Sequence, residues 1–555
     1  MQLTGAQIVM ECLLEQGVDT VFGYPGGAVL NIYDALYEYR DRIRHIRTCH
    51  EQAAAHAADG YARASGKTGV CIATSGPGAT NPVTGIATAY MDSVPMVAIT
   101  GNVTRDLLGL DSFQEVDITG ITMPVTKHNY LVKHVEQLAD TLRSAFRIAG
   151  TGRRGPVLVD IPKDITAQKT EFTPKRPVLP ACTDFPPEEC FAQALELLKN
   201  SRQPFFYCGG GVVSADASPE AAEFAEKLDA PVSCSLMCQG GFDQNSPRYL
   251  GMLGMHGTKA SAEAIKGCDL FIAAGTRFSD RVLCNADLFA RNCKIIHIDI
   301  DAAEFGKNID VSLKLRGDVK AILTKLNELL PQQKHREWMD QMEVSRQAYP
   351  LKQTGGPEDV LPQDVLETLC RLTDGNAVLT TEVGQHQMWA AQYYTFREPR
   401  HFLTSGGLGT MGYGLGAAMG AKTARPDATV VNAAGDGSFR MNCAELATLS
   451  HYKIPVVELI FDNRTLGMVR QWQKLFYGSR FSQTDVDPDI DYAKLAEAFG
   501  VKAYRIASKS DIEPVLREAL ALNAPVLVDC VVSKDENVLP MVPAGKSVED
   551  PILKM

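Results

Sequence analysis

The stretch that decides the fold runs from Val430 to Asn463, VVNAAGDGSFRMNCAELATLSHYKIPVVELIFDN. It reads as a short apolar strand, a Gly435-Asp436-Gly437 turn, a helix, a second apolar strand and an Asp462-Asn463 pair. Strand, helix and strand in this order make one βαβ unit of a parallel sheet, so both strands end on the same side. Asp436 and Asn463, 27 positions apart, therefore emerge at carboxyl ends where their oxygens can converge. One carboxylate with amide and carbonyl oxygens is a hard-oxygen set suited to Mg²⁺, which completes its octahedron with substrate phosphates. Gly435 and Gly437 let the backbone approach closely, and the helix start after Ser438 offers N–H groups to an anion. The segment predicts a metal-bridged diphosphate site.

The same alternation fills the chain. Apolar, β-branched runs begin at Val70, Met96, Val157, Phe205, Leu270, Ile295, Ala377, Thr429, Val456 and Val526, each separated from the next by helical patterns. Continuous apolar strands between helices indicate parallel sheets covered on both faces, an α/β protein. At about 100–200 residues per domain, 555 residues predict three or four domains. Two Pro- and Gly-rich stretches, 173–189 and 349–362, read as linkers. They divide the chain into expected domains at 1–170, 190–335 and 363–555.

Composition excludes several classes. The chain is 45% hydrophobic and 22% charged, with a net charge of −11 and no long basic run. A duplex nucleic acid or membrane-surface partner lacks its electrostatic footprint, and no segment approaches the ~20 apolar residues of a membrane span. The N-terminal MQLTGAQIVMECLLEQG reads as an amphipathic helix from its start, without a signal segment, and a cytoplasmic location is expected. Fourteen cysteines without a CxxC pair fit reduced thiols rather than zinc.

Three motifs mislead. Gly60 to Thr68 resembles a phosphate loop but has five residues between its glycines and follows a helical stretch. His50 and His56, six positions apart, face different sides of a helix and cannot form an HExxH zinc pair. Gly407-Leu-Gly409-Thr-Met-Gly412 satisfies GxGxxG, but no acidic residue ends a following strand at the right distance for a nicotinamide ribose.

With its GDGS turn and following DN pair, the chain resembles the thiamine diphosphate-dependent decarboxylases and carboligases. The resemblance implies a metal held by Asp436, Asn463 and the main-chain oxygen of Thr465. It places Gly384, Gln385, His386, Gly409, Gly435, Gly437, Ser438, Gly467 and Met468 around the cofactor. Met411 matches the apolar wedge between the cofactor's two rings. The His50-Glu51 pair matches the family's glutamate, which exchanges a proton with the aminopyrimidine ring so that the cofactor's own amine can activate the thiazolium carbon. Burial would tune such a carboxylate toward working pH.

Over nearly the whole chain the similarity is to the acetohydroxyacid (acetolactate) synthase catalytic subunits, through VFGYPGGA (21–28), the 51–81 segment, DSFQEVD (111–117), GPVLVDIPKD (155–164), VGQHQMWAAQ (383–392) and GMVRQWQKLFY (467–477). This implies decarboxylation of pyruvate and ligation of the two-carbon unit to a second 2-oxo acid, pyruvate or 2-oxobutyrate, at the start of branched-chain amino acid synthesis. Arg277 would bind the acceptor carboxylate, which the planar guanidinium suits. Phe113, Gln114, Lys163, Met252, Val383 and Trp472 match other active-site positions, Trp472 favouring 2-oxobutyrate. The middle block resembles the family's FAD domain, with flavin contacts expected at Gly209, Gly210, Gly211, Met255, His256, Gly257, Thr258, Gly275, Arg277, Asp299 and Asp301. Phe278-Ser279-Asp280-Arg281 replaces the usual FDDR there. The family further implies a homodimer or dimer of dimers, in which the first block of one chain faces the third block of another, and a small regulatory subunit. The alternatives are a catabolic acetolactate synthase or pyruvate oxidase, a nicotinamide dehydrogenase built on GxGxxG, and a non-catalytic scaffold.

Overall fold

The computed structural model describes residues 1–177, 184–353, 355–356, 358–486 and 490–554. Parts of both expected linkers, 178–183 and positions 354 and 357, lie outside the described residues. The described strands form three six-stranded sheets and one two-stranded sheet.

The chain opens with a strand rather than a helix: β1 (Gln2–Thr4) pairs antiparallel with β8 (Lys169–Glu171) before the Gly5–Glu15 helix begins. Thr4 and Gln7 form a capping box at that helix start, so the helical expectation holds from residue 5. Three polar-edged residues carry no periodic signal, and their partner lies more than 160 residues away.

The first sheet holds β2 (Thr20–Gly23), β3 (Arg44–Arg47), β4 (Gly69–Ala73), β5 (Met96–Asn102), β6 (His128–Leu131) and β7 (Pro156–Pro162), in the order β3-β2-β4-β5-β7-β6. The second holds β9 (Pro204–Cys208), β10 (Val232–Cys234), β11 (Tyr249–Met252), β12 (Leu270–Ala274), β13 (Lys294–Asp299) and β14 (Leu313–Arg316), in the order β11-β10-β9-β12-β13-β14. The third holds β15 (Val378–Thr381), β16 (Phe402–Leu403), β17 (Val430–Gly435), β18 (Val456–Asp462), β19 (Lys502–Ile506) and β20 (Val526–Val531), in the order β16-β15-β17-β18-β20-β19. Every pairing within these three sheets is parallel. All ten apolar runs read from the sequence are strands.

The first and third units are joined by packing of the Glu51–Ser65 helix on the Gly414–Ala424 helix. The contact is close because a Cβ at Gly60 would run into Ala417 and one at Gly420 into the backbone of Ala57. Beneath it, Arg63 is paired with Asp59 (2.6 Å) and Asp92 (2.9 Å), and Tyr413 donates to Asp59 (2.6 Å). A buried charge is tolerable when paired and hydrogen-bonded, as these are. The Arg336–Ala348 helix, between the second and third expected blocks, packs Trp338 on the central unit and donates its indole N–H to Pro204 O (2.9 Å). Among the described residues no helix is long and apolar enough to cross a membrane.

Candidate active site

The two strands read first from the sequence are neighbours. β17 and β18 pair in parallel with Gly435 opposite Phe461, so Asp436 and Asn463 leave the sheet side by side at its carboxyl edge. There a cavity of about 80 Å³ is lined by Val383, Gly384, Gln385, His386, Met411, Gly435, Asp436, Gly437, Ser438, Asn463, Thr465, Gly467 and Met468. Of the residues expected at the metal and cofactor, only Gly409 is absent from this lining; it lies in the loop two residues before Met411 with φ +73°.

The cavity's polar groups are few and deeply buried among apolar neighbours. Asp436 Oδ2 is buried without a hydrogen-bond partner. Burial, with Asp462 beside it, pushes the Asp436 carboxyl up to about 7. Asn463 accepts the Thr465 N–H (3.1 Å) and donates to Gln385 Oε1 (3.3 Å), which holds the loop between them with Arg464 at φ +56°. His386 is buried, its imidazole lowered to about 3 by desolvation, and its Nε2 has no partner. Its ring fills the space above Gly435, where an added Cβ would lie 2.7 Å from Nδ1.

Sequence reading missed the group that shapes the Met411 loop. Glu382 is wholly buried and accepts N–H groups from Gly412 (2.6 Å), Gly414 (2.9 Å) and Leu415 (3.2 Å), and the Ser438 hydroxyl (3.0 Å). Burial pushes its carboxyl up to about 7 despite these bonds. It also missed Gln471, which donates to Val538 O (2.9 Å), accepts from Val538 N (2.9 Å) and accepts from Gln385 Nε2 (2.9 Å). An acid one residue past a strand, and a glutamine within an amphipathic helix, carry no local signal that separates them from surface residues.

The other expected residues lie apart from this cavity. Glu51, the first residue of the Glu51–Ser65 helix, is 9% exposed and accepts from Asn81 Nδ2 (2.8 Å). Phe113 is 88% exposed and Gln114 has φ +59°, in a loop lying against Gly76. Lys163, half-buried, opens the Lys163–Ala167 helix. Met252 is buried with Met388 and Trp389 in the core of the third unit. Trp472 lies on the Gly467–Phe476 helix, half-exposed and edge-on to Phe476.

A second cleft of about 500 Å³ opens between the units and is lined by Gly210, Gly211, Gly275, Arg277 and Asp299 among others. Arg277 donates to Met91 O (2.5 Å) at its edge. Glu304, not anticipated from sequence, lines the cleft with a buried, unpartnered Oε2. Six further residues of the expected flavin set are not in the lining. Gly209 lies behind it with its N–H on Ala274 O (2.8 Å), and Asp301 is occupied by the Ala303 N–H (3.0 Å) and by Arg153 (3.2 Å). Met255 and His256 are held by the C-terminal segment and the third unit: Met255 O accepts from Val542 (2.8 Å) and His256 O from Gln392 (3.2 Å). Thr258 caps the Lys259–Gly267 helix, and Gly257 closes the turn before it.

The GxGxxG run is not a free phosphate cradle. Its loop is bound to Asp92, which accepts from Gly406 N (3.0 Å) and Gly407 N (2.7 Å). A carboxylate in that position repels a pyrophosphate. The Gly60–Thr68 segment is the end of a helix, with Gly66 as its left-handed cap at φ +77°.

Three parallel α/β units with a Gly-Asp-Gly turn facing a strand-end Asn are the architecture of thiamine diphosphate enzymes, and the chain matches that family's models along most of its length. The N-terminal TPP binding domain of thiamine pyrophosphate enzymes matches residues 3–121, their central domain 191–326 and their C-terminal TPP binding domain 382–530. Within that class the chain belongs to the acetolactate synthase large-subunit family. It is 48% identical over 561 residues to a probable acetolactate synthase large subunit of Methanocaldococcus jannaschii, covering 98% of this chain and 94% of that protein. It is 46% identical to an acetolactate synthase of Mycobacterium bovis (99% and 91% covered). It is 45% identical to the acetolactate synthase isozyme 2 large subunit of Escherichia coli K12, with both chains covered completely.

Proposed function

We propose that the chain is a catalytic subunit that forms acetolactate from two pyruvates and, with 2-oxobutyrate as acceptor, the homologous acetohydroxy acid, serving branched-chain amino acid synthesis in the cytoplasm. The observation that carries this reading is the buried, unpartnered Asp436 Oδ2 beside Asn463. Burial makes the ionised form of that group costly unless a cation compensates it, so the apoprotein keeps a proton there that a metal ion would displace. Asp436, Asn463 and the Thr465 main-chain oxygen would hold Mg²⁺ against the diphosphate of thiamine diphosphate, with Gly384, Gln385 and His386 on its other side. When bound, thiamine diphosphate supplies the electron sink that makes decarboxylation of a 2-oxo acid possible.

The chain's own groups do the rest. Met411, fixed by Glu382 through the next residue's N–H, would wedge the cofactor's rings. Glu51 would carry the proton to and from the aminopyrimidine ring. Because Glu51 lies outside the Asp436 cavity of its own chain, a second copy would present it, together with Phe113, Gln114 and Lys163 of the same unit. The site is then composite and the chain an obligate dimer or dimer of dimers, built from units 1–170, 190–335 and 363–555, and joined by a small regulatory subunit. Arg277 and Trp472 would select the acceptor by its carboxylate and its extra methylene.

The 500 Å³ cleft would receive the flavin adenine dinucleotide: Gly210, Gly211 and Gly275 would allow close backbone approach, and Asp299 and the unpartnered Glu304 Oε2 would offer acceptors to ribose or adenine donors. FAD has no net redox task in the reaction. Incubation of purified protein with pyruvate, thiamine diphosphate, Mg²⁺ and FAD tests the reading. Acetolactate formed without NAD is expected; acetate or acetyl phosphate as the sole product would overturn it.

A further inference from the structure

The third unit reaches back and holds the backbone that carries Glu51. Glu445 lies nine residues after Asp436, in the turn Cys443–Glu445 before the Leu446–Tyr452 helix. Its carboxylate is 1% exposed and accepts the backbone N–H of Cys49 (3.0 and 3.1 Å), the backbone N–H of His50 (3.0 Å) and the Thr448 hydroxyl (2.6 Å). These two N–H groups belong to the residues immediately before Glu51. The neighbourhood repeats the linkage: Cys49 Sγ meets Ala444 O (3.3 Å), and Tyr452 OH accepts the Arg47 N–H (3.0 Å).

A carboxylate spanning two successive N–H groups fixes a peptide plane more firmly than a single bond, because both lone-pair directions are used and the bonds are charge-assisted. His50 is the N-cap of the Glu51–Ser65 helix, its Nδ1 accepting from Gln52 N (3.1 Å), so fixing its peptide fixes where the helix begins. The negative charge also faces the positive end of that 15-residue helix. No other acid among the described residues bonds this segment. The carboxylate is buried at the junction of two units, where an unpartnered charge would be expensive, so its position is dictated by what it holds.

We propose that Glu445 is a positioning residue for Glu51, setting the depth at which the Glu51 side chain meets the aminopyrimidine ring. The proposal rests on the assignment of Glu51 under the proposed function. It acts through Glu51 and not on substrate, so its loss slows proton exchange at the cofactor ahead of any effect on acceptor choice.

The test uses the full-length protein loaded with thiamine diphosphate and Mg²⁺ and measures hydrogen–deuterium exchange at the thiazolium carbon, without pyruvate. Glu445→Ala takes the carboxylate away from the Cys49 and His50 N–H groups, releasing the peptide before Glu51, and is expected to slow exchange about tenfold or more. Glu445→Gln keeps a carbonyl oxygen for Cys49 and His50 and is expected to restore exchange to within about threefold of wild type. In a Glu51→Gln background, Glu445→Ala should slow exchange no further. Unchanged exchange in Glu445→Ala with cofactor bound would overturn the proposal. So would equal slowing in the Glu51→Gln background, which marks a general structural effect. If Glu445→Ala does not fold, Glu445→Asp, which keeps the charge but withdraws it by one methylene, carries the test: slowed exchange supports the proposal and wild-type exchange overturns it. Exchange that Glu51→Gln itself leaves unchanged would instead overturn the assignment of Glu51, a separate failure.

Discussion

Glu382 accepts the backbone N–H of Gly412 at 2.6 Å, one residue beyond Met411. The same carboxylate bonds Ser438, so one buried side chain ties the Met411 loop to the Gly-Asp-Gly turn. Replacing it with leucine strands three buried N–H groups. The expected cost is roughly 3 kcal/mol, seen as weakened thiamine diphosphate binding by isothermal titration. Glu382→Leu that binds the cofactor as tightly as wild type would refute this role.

Gly435 has an ordinary φ of −96°, so its substitution is a question of space alone. An alanine Cβ would lie 2.7 Å from His386 Nδ1, so the buried imidazole would have to give way. Gly435→Ala should lose about 1–3 kcal/mol of stability and displace His386 from the cavity, measured by denaturant unfolding and cofactor titration. The neighbouring Gly437 has only the flexible end of Leu466 in its way, so Gly437→Ala is expected to be milder.

Asp436 is pushed up to about 7, from an ordinary carboxylate value near 4 in the unfolded chain. The folded apoprotein therefore holds a proton that the unfolded chain releases. This contribution erodes stability as pH rises from about 4 to about 7 and is constant above that range. A metal must displace the same proton, so Mg²⁺ affinity in the presence of thiamine diphosphate should rise between pH 6 and pH 8. Asp436→Asn should abolish that rise, checked by Mg²⁺ titration at the two pH values.

Trp472 is half-exposed on the Gly467–Phe476 helix, which is anchored at its centre by Gln471. A pocket wall that recognises one methylene is worth about 1–3 kcal/mol. Trp472→Leu should lower the preference for 2-oxobutyrate over pyruvate about tenfold in direct competition while leaving turnover of pyruvate alone intact. An unchanged product ratio would remove Trp472 from acceptor selection.

The sequence was most readable where chemistry and local structure coincide. That Asp436 and Asn463 leave neighbouring strand ends was legible because the βαβ unit brings strand ends together by geometry that short-range pattern reveals. The ten apolar runs were strands because parallel sheets bury both faces. Short edge strands were not legible: Phe402–Leu403 is two residues long, and His128–Leu131 is half polar. Glu382 and Glu445 stayed hidden because their partners are backbone amides 30 to 396 positions away, which no local spacing encodes. The dispersal of Met255, His256, Gly257 and Thr258 from the large cleft has the same origin. The C-terminal segment that covers Met255 is nearly 290 residues further along the chain.

Mixed dimers test most directly whether Glu51 of one chain serves Asp436 of another. Glu51→Gln and Asp436→Asn chains, each inactive alone, would be mixed under conditions that exchange subunits, and acetolactate production measured. Half of the resulting dimers carry one intact site of two, so about a quarter of wild-type activity should return. No recovery in a mixture shown to contain heterodimers would contradict a site shared between chains.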